Sequence, residues 1–293
     1  MQGAVGFVGL GVMGEPMCRN LARKFGRAVI GFDRVQAPLD RLAADGVQGA
    51  ADLRALAGQS AVVLLSLPSA EALEAVCAGP EGLLATMSPG QVLVDMSTSP
   101  VALTRELAAT FEARGVRYAD APIARTRQAA EDGTLAIMVG ADEALFAQLH
   151  PLLACMGTEI THCGAVGSGQ VVKLLNNMVM METVVAFSEA LAIARRAGVD
   201  GALLFEAFSK SSADSFALRH HGMKAVLPGI FPEKAFSAVY ALKDLDYALA
   251  LAADGGVCAS GAKLARRLLA ASVERGDGDR YWPVVSRVID TAQ

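Results

Sequence analysis

Near its beginning the sequence reads Val5-Gly6-Phe7-Val8-Gly9-Leu10-Gly11-Val12-Met13-Gly14. The first four residues are typical of a short buried strand, and residues 15–25 are typical of an amphipathic helix. Between them stands G-x-G-x-x-G: Gly9 permits a tight turn, Gly11 lets a pyrophosphate approach bare backbone, and Gly14 lets helix and strand pack closely. The free N–H groups and positive dipole end of the helix favour phosphates. We therefore expect all six residues of this turn to bind a dinucleotide.

A second predicted strand, 28–32, ends at Asp33, nineteen residues after Gly14. In dinucleotide-binding folds a carboxylate at that place binds the adenosine ribose hydroxyls. It would also repel a 2′-phosphate, so NAD is favoured over NADP. Arg34 keeps NADP compatible, because a neighbouring arginine can accommodate that phosphate. Glycine-rich turns also serve as plain strand-to-helix corners, but strand, helix and carboxylate in register favour the dinucleotide.

Composition limits the classes of protein to consider. The chain has 293 residues, 53% of them hydrophobic and 19% charged, enough for two domains with sizeable cores. A formal charge of -4 gives no reason to expect nucleic acid or an acidic membrane as a partner. The histidines and the five cysteines lack the spacing of metal ligands or disulfide frameworks. We expect no metal site, and reduced thiols in a cytoplasmic protein.

Targeting and membrane segments are not expected. The N-terminus runs straight into the first strand, which leaves no room for a signal or transit peptide. The longest apolar run, 178–193, is interrupted by Glu182, Ser188 and Glu189. These polar residues argue against a membrane span.

Strands and helices alternate through the first half of the chain. Strand patterns occur at 5–8, 28–32, 61–67, 91–96, 116–121, 134–139 and near 158–162, and helical patterns at 15–25, near 52–57, up to 85, and at 101–114 and 143–153. Short strands separated by helices predict an α/β fold with a doubly wound parallel sheet.

The pattern becomes helical after a loop of small residues at 164–169. We predict one long helix over 170–197 and further helices at 201–209, 238–253, 259–275 and 283–291. The chain is therefore expected to have a dinucleotide-binding domain over 1–165 and an all-helical substrate and oligomerisation domain over 166–293, joined by the long helix. Helices this apolar in so small a domain also predict a homodimer or homotetramer.

Three segments should meet the ligand, because open α/β sheets bind ligands outside the carboxyl ends of their strands. They are 95–100, with Ser97 and Thr98; 120–127, with Ala124, Arg125 and Thr126; and 173–177, with Lys173, Asn176 and Asn177. Leu67 and Pro68, at the end of the strand 61–67, join Thr98 as cofactor-binding candidates.

Lys173 has the sharpest signal of these candidates. Its neighbours Val171, Val172, Leu174 and Leu175 are all apolar, and Asn177 lies one turn further on the same helix face. A buried lysine is costly unless it is paired or functional. Burial favours its neutral amine, which can take a hydroxyl proton as a hydride leaves the same carbon. The alternative is a lysine that snorkels from an apolar helix.

Three other cationic residues, Arg125, Arg127 and Lys243, each have two interpretations. Arg125 could clamp a carboxylate or sulfonate bidentately, or could belong to an ordinary solvated loop. For Arg127 the solvated loop is the better interpretation. Lys243 and Asp244 form either a second site pair or a surface ion pair, and sequence alone favours the ion pair.

These motifs together resemble the β-hydroxyacid dehydrogenases, the family that contains 3-hydroxyisobutyrate dehydrogenase. The resemblance covers essentially the whole chain and rests on separated motifs in the right order: 9–14, Asp95-Met96-Ser97-Thr98, Asp120-Ala121-Pro122-Ile123, Gly133-Thr134-Leu135, Gly167-Ser168-Gly169, 173–177 and Leu242-Lys243-Asp244-Leu245. It implies a Rossmann domain followed by a helical domain. It also implies a catalytic lysine at Lys173, a substrate-orienting asparagine at Asn177, and Lys243 near the nicotinamide and substrate.

One segment departs from the family pattern. Members that act on 3-hydroxyisobutyrate or tartronate semialdehyde usually continue Asp-Ala-Pro-Val with Ser-Gly-Gly, which grips the substrate carboxylate. This chain has Ala124-Arg125-Thr126, more similar to the Gly-Arg-Thr of sulfolactaldehyde reductases, whose arginine and threonine address a sulfonate. A wider acidic head group or a longer reach would suit Arg125.

The sequence thus predicts an NAD-dependent dehydrogenase of a short β-hydroxyacid, or a reductase of the matching semialdehyde. Its partner would be a small anionic hydroxyacid or semialdehyde, with sulfolactaldehyde and succinic or glyoxylic-type semialdehydes as alternatives. Two rivals are an imine reductase on the same scaffold, although such enzymes usually lack the lysine at this position, and a non-catalytic NAD-binding protein. In the latter, substitution of Lys173 would change nothing measurable.

Overall fold

The computed structural model describes residues 3–291. It divides into two compact units between Lys173 and Leu174. This division falls inside one continuous helix, Ser168–Arg196, a little beyond position 165 where the sequence predicts the domain boundary. The boundary at 165 stays a prediction.

The first unit is built on one nine-stranded sheet. In chain order its strands are β1 Ala4–Val8, β2 Val29–Phe32, β3 Gln48–Gly49, β4 Ser60–Leu65, β5 Val92–Asp95, β6 Arg117–Asp120, β7 Ile123–Ala124, β8 Leu135–Gly140 and β9 Gly157–Gly164. They are ordered β3-β2-β1-β4-β5-β6-β8-β7, and β9 also pairs with β8. The order reverses at β1, where β2 and β4 flank it, which is the crevice where dinucleotides bind in such sheets.

Helices connect these strands and cover the sheet. They are α1 Gly14–Lys24, α2 Gln36–Leu42, α3 Leu53–Gln59, α4 Ala70–Ala78, α5 Leu83–Thr86, α6 Val101–Glu112, α7 Arg127–Asp132 and α8 Glu143–Leu153, with a 3-10 turn at Ala43–Asp45; α9 is Ser168–Arg196. The predicted Rossmann-type α/β fold is confirmed. Strands from β1 to β6 run in parallel, and each is joined to the next by helical crossovers.

The sheet buries apolar side chains on both faces. Phe7 and Leu64 belong to the core on one face, and Val8 and Leu65 to the core on the other. All four are almost fully buried. Parallel strands covered on both sides form near-continuous apolar runs, which explains why β4 is so easily recognised in the sequence.

Two local features of this unit differ from the predictions. The sheet is not parallel throughout, because the chain reverses after β6 and β8 pairs antiparallel with both β6 and β7. The solvated loop expected at 125–127 ends at Thr126, whose hydroxyl accepts the N–H of Ala129 and begins α7. Gly133, in the left-handed region at φ 68°, ends α7.

The second unit is helical, as predicted. After the remainder of α9 it contains α10 Gly201–Phe208, α11 Ala238–Asp254, α12 Ser260–Ser272 and α13 Ser286–Thr291, π-helical segments at Leu218–Val226 and Val273–Asp277, and a 3-10 turn at Trp282–Val285. The π-helical segments are irregularities that the helical period did not predict. Met181, Phe205, Leu245 and Trp282 are fully buried members of its core.

The long helix α9 is apolar. By length and composition it could cross a membrane, with a mean hydropathy of 1.4 over its best window, but half of that window is buried within the structure. The core helix of a soluble protein meets the same test, so this is weak evidence for a membrane span.

Candidate active site

The glycine-rich turn between β1 and α1 has the shape that a dinucleotide requires. Gly9 has φ 90°, and its N–H donates to the carbonyl of Phe32 at 3.0 Å. A Cβ on Gly14 would overlap the carbonyl oxygen of Gly9, whereas a Cβ on Gly11 would point into open space. No side chain caps α1 at Met13. The turn thus leaves an open cradle at a helix N-terminus, which fits the pyrophosphate of a dinucleotide.

Asp33 links the turn to the end of β2. One carboxylate oxygen accepts the N–H of Leu10 at 2.6 Å, and the other accepts the N–H of Val35 at 2.8 Å. Each oxygen retains a further lone pair for a ribose hydroxyl. Asp33 is half-buried, and the adjacent Arg34 is exposed. The carboxylate is therefore fixed at the tip of β2, with the arginine side chain beside it at the surface.

The ends of β4 and β5 are joined through Ser97. Its hydroxyl oxygen accepts the N–H of Leu67 at 2.9 Å, and its own N–H donates to Asp95 at 2.9 Å. Leu67 and Thr98 are half-buried and Pro68 is exposed. The candidates that follow β4 and β5 are thus connected to each other at one edge of the sheet.

The segment after β6 is held by its own unit. The Arg125 guanidinium donates through Nη1 to the carbonyl of Thr134 at 2.5 Å and to the hydroxyl of Thr158 at 3.3 Å. Arg125 has φ 86°, an uncommon conformation for a residue with a side chain. Ala124 lies in β7, and the hydroxyl of Thr126 caps α7.

Arg127 behaves as an ordinary surface residue. It lies in the first turn of α7 and donates to Glu131 at 3.0 Å, an exposed pair four residues apart. The side chain is solvated, as the sequence interpretation has it, but Arg127 lies in a helix and not in the loop expected there.

Lys173 is buried in the structure. Its exposed fraction is 8%, and that of Asn177, one turn further along α9, is 3%. Two polar side chains with so little exposure on one face of a helix are costly unless they have polar partners or bind a ligand. Their neighbour Asn176 is exposed.

Asn177 is oriented by α11. Its Nδ2 donates to the buried carboxylate of Asp244 at 2.8 Å, and its Oδ1 accepts from Asn176 at 3.2 Å. The other oxygen of Asp244 lies 3.2 Å from Lys243 Nζ. Lys243 and Asp244 thus form an ion pair, but a largely buried one rather than the surface pair that sequence alone favoured.

Lys243 also lies against two aromatic rings. Its Nζ is 5.7 Å from the ring centre of Tyr240 and 5.3 Å from that of Tyr247. Both distances are within the range of cation–π attraction.

Three buried polar residues were given no role from the sequence. Asp95 accepts the Ser97 N–H and the Ser99 hydroxyl, Asp120 accepts two backbone N–H groups, and Gln170 bonds the backbone of the 97–99 segment. Asp95 and Asp120 are neighbours in register at the ends of β5 and β6. Asp95 ends the apolar strand β5 and Asp120 ends the buried part of β6, so a carboxylate at the buried end of a strand is the signal that could have identified both.

The Rossmann-type sheet and its glycine-rich turn define a dinucleotide-binding protein, and buried Lys173 is its candidate acid–base group. Among residues 3–291, no group of three or more histidine, cysteine, aspartate or glutamate side chains could hold a metal ion.

Comparison with known proteins specifies the class further. Residues 4–164 match the family described as the NAD binding domain of 6-phosphogluconate dehydrogenase. Residues 167–284 match the family described as NAD-binding of NADP-dependent 3-hydroxyisobutyrate dehydrogenase.

Individual relatives agree with the family matches. The chain is 36% identical over 253 residues to 2-(hydroxymethyl)glutarate dehydrogenase of Eubacterium barkeri, covering 86% of this chain and 83% of the relative. It is 31% identical to the NAD-dependent L-serine dehydrogenase of Pseudomonas aeruginosa, over 99% of this chain and 98% of the relative. The structure of Mycobacterium tuberculosis 3-hydroxyisobutyrate dehydrogenase with L-serine has a TM-score of 0.89 at 29% identity, covering 99% of each chain.

This chain belongs to the β-hydroxyacid dehydrogenase family. It is an oxidoreductase that acts on CH–OH donors with NAD, and NADP is also compatible with its binding domain.

Proposed function

We propose that this protein interconverts a short β-hydroxyacid and the matching semialdehyde, with Lys173 as the group that carries the proton. The observation that carries the proposal is the burial of Lys173 on the helix face it shares with buried Asn177. A lysine side chain that is withdrawn from water can exchange a proton with a substrate hydroxyl placed against it, as general base in one direction and general acid in the other.

The chemical step balances without a further reactant. The glycine turn at 9–14 and Asp33 would hold NAD, which would supply a hydride acceptor for oxidation of the hydroxyl carbon and, in its reduced form, a hydride donor for the reverse reaction. The Lys173 amine takes the hydroxyl proton as the C–H electron pair leaves, so that the O–H pair forms the carbonyl. In reduction, the Lys173 ammonium protonates the nascent alkoxide. Asn177, held by Asp244, orients the substrate oxygen.

Polar groups of the first unit would bind the substrate's acidic end. Arg125 and Thr126 are the candidates for this role, Ser97 would orient the substrate, and Ala124 and Asn176 are the remaining substrate-binding candidates. The two hydrogen bonds of Arg125 both use Nη1, and its Nη2 lies 3.9 Å from the Glu159 carboxylate. Because neither hydrogen bond uses Nη2, that group can still donate to a carboxylate or sulfonate of the substrate.

The names of the relatives support the substrate class. 2-(Hydroxymethyl)glutarate, L-serine and 3-hydroxyisobutyrate each carry a primary alcohol on the carbon next to the one that bears the carboxylate. The Arg125 departure keeps sulfolactaldehyde and succinic or glyoxylic-type semialdehydes as alternative substrates.

The test is a panel of initial rates of NADH oxidation. The panel contains methylmalonate, tartronate and succinic semialdehydes, glyoxylate and sulfolactaldehyde, with cyclic imines as a separate arm. Turnover of one acidic aldehyde and none of the imines is the expected result. Turnover of imines alone, or NADH binding with no turnover of any panel member, would overturn the proposal.

We also propose a cytoplasmic homodimer or homotetramer. Val172, Leu175 and Val179 are exposed along α9, an apolar stripe suited to another subunit. Cys18, Cys77, Cys155, Cys163 and Cys258 are all free, as in a reducing compartment. Light scattering that gives the mass of a monomer would contradict the assembly.

A further inference from the structure

The residue that precedes the helix carrying Lys173 is a glycine, which has no side chain to act as a cap. The residue before α9 is Gly167, which has φ 91°. The first N–H groups of a helix lack partners within the helix, and a side-chain oxygen normally satisfies one of them. Here the cap comes from another part of the chain.

Asp120, at the end of β6, caps α9. One carboxylate oxygen accepts the N–H of Gly167 at 2.6 Å, and the other accepts the N–H of Gln170 at 2.8 Å. The Asp120 side chain is fully buried. Burial raises the pKa of this carboxyl to about 6, while the two N–H groups oppose the rise. A negative charge also suits the positive end of the helix.

A glycine in β8 and a glycine in the first turn of α9 leave room for this carboxylate. A Cβ on Gly140, the partner of Asp120 in β8, would overlap Asp120 Oδ1. A Cβ on Gly169, in the first turn of α9, would overlap the carbonyl of Met138 and lie 2.8 Å from Asp120 Oδ2. The strands and the helix therefore approach as closely as backbone allows, and the contact leaves α9 little freedom to shift.

Gln170 makes the second connection. Its side chain is fully buried; Oε1 accepts the Ser99 N–H at 3.1 Å, and Nε2 donates to the Ser97 carbonyl at 2.8 Å. Lys173 follows Gln170 by three residues and so lies on the same side of α9. The segment after β5 and the first turn of α9 are thus held in one geometry.

We propose that Asp120 and Gln170 are positioning residues for Lys173: they fix the start of α9 against the ends of β5 and β6, and thereby place the amine relative to Ser97 and Thr98. This rests on the proposed role of Lys173. Neither residue touches the reacting atoms. A displacement of about 1 Å in a catalytic group can cost on the order of 100-fold in rate, so the effect belongs in kcat.

Asp120→Asn is the main test variant. The amide keeps the shape of the carboxylate but has one accepting oxygen, so its NH₂ group would face one of the two N–H groups. We expect kcat to fall ~10- to 100-fold, with the Kd for NADH within about twofold of the wild type, since the glycine turn is untouched. Asp52→Asn is the matched control, because Asp52 caps α3 at the surface.

Gln170→Glu is an independent variant that keeps the test open if Asp120→Asn does not fold. It keeps the acceptor for Ser99 but loses the donor to Ser97, and we expect the same loss of kcat. Gln59→Glu is its control, since Gln59 likewise donates to a backbone carbonyl, that of Ala55, but at an exposed position.

A double variant separates positioning from mere stability. In a Lys173→Met background, Asp120→Asn should leave the residual rate unchanged, because the group it positions is gone. A kcat of Asp120→Asn equal to wild type, or the same fractional loss in both backgrounds, would overturn the inference. If Lys173→Met alone keeps the wild-type rate, the proposed function fails and the inference with it. If Lys173→Met loses the rate while both positioning variants keep it, only the inference fails.

Discussion

The turn at 9–14 and the segment at 124–126 both follow strands of the same sheet, yet they owe their shapes to different causes. The turn is shaped by backbone sterics: Gly9 has a positive φ, and Gly14 has no space for a Cβ. The segment at 124–126 is shaped by side chains, since Arg125 has a positive φ without being glycine and bonds Thr134 and Thr158. A local sequence pattern can specify the first kind of site, but the second depends on partners elsewhere in the chain.

Among substitutions in the two segments, Gly14→Ala should have the largest effect on stability and on NADH binding. The added Cβ meets the Gly9 carbonyl, so we expect a loss of about 1–3 kcal/mol in unfolding free energy and no measurable binding of NADH. Urea unfolding and fluorescence titration with NADH measure the two effects.

Gly11→Ala is the matched control for stability. Its Cβ meets nothing within 4 Å, so stability should stay close to wild type while NADH binding weakens, because the Cβ fills space meant for the pyrophosphate. Full NADH affinity in Gly11→Ala would mean that the pyrophosphate does not approach this turn.

Arg125→Ala should have the next largest effect. Loss of a charge-assisted hydrogen bond to an acidic group costs about 1.5–3 kcal/mol, which corresponds to a rise in KM for the aldehyde of ~10- to 100-fold. The kcat and the Kd for NADH should change little. Steady-state kinetics on the best aldehyde of the panel measures this.

Arg127→Ala serves as the control, because that guanidinium only pairs with Glu131 at the surface. Equal KM values for the two variants would show that Arg125 holds the loop and does not bind the substrate.

Thr126→Ala should have the smallest effect. It removes the side-chain cap of α7, a bond at 3.4 Å, and we expect a loss of about 0.5–1 kcal/mol in stability. Thermal unfolding gives the stability and the same kinetic assay gives KM. If Thr126 also binds the anionic end, KM rises as well; an unchanged KM assigns Thr126 to the cap alone.

Much of the fold could be predicted from the sequence, because it is encoded locally. Apolar runs predicted β1, β4 and β5, and the helical period predicted α8 and most of α9. The apolar neighbours of Lys173 indicated its burial, and both Lys173 and Asn177, predicted on the same helix face, are buried in the structure. The bounds of α7 are also encoded locally, because Thr126 and Gly133 are typical start and stop residues of a helix.

The rest depends on contacts between distant residues. The partner of Asn177 is Asp244, and the α9 cap is Asp120, 47 residues before Gly167. Neither pairing leaves a periodic trace in the sequence. The antiparallel return of β8 likewise follows from how the chain turns after β6, rather than from the composition of the strand.

The central claim is that the Lys173 amine carries the proton, and Lys173→Met tests it most directly. Methionine keeps an apolar stem of similar length and removes the amine. At saturating aldehyde and NADH, we expect kcat to fall by at least ~100-fold, with the Kd for NADH unchanged. Lys210→Met, at an exposed lysine paired with Glu206, should keep the wild-type kcat. A kcat for Lys173→Met within a few-fold of wild type would contradict the account.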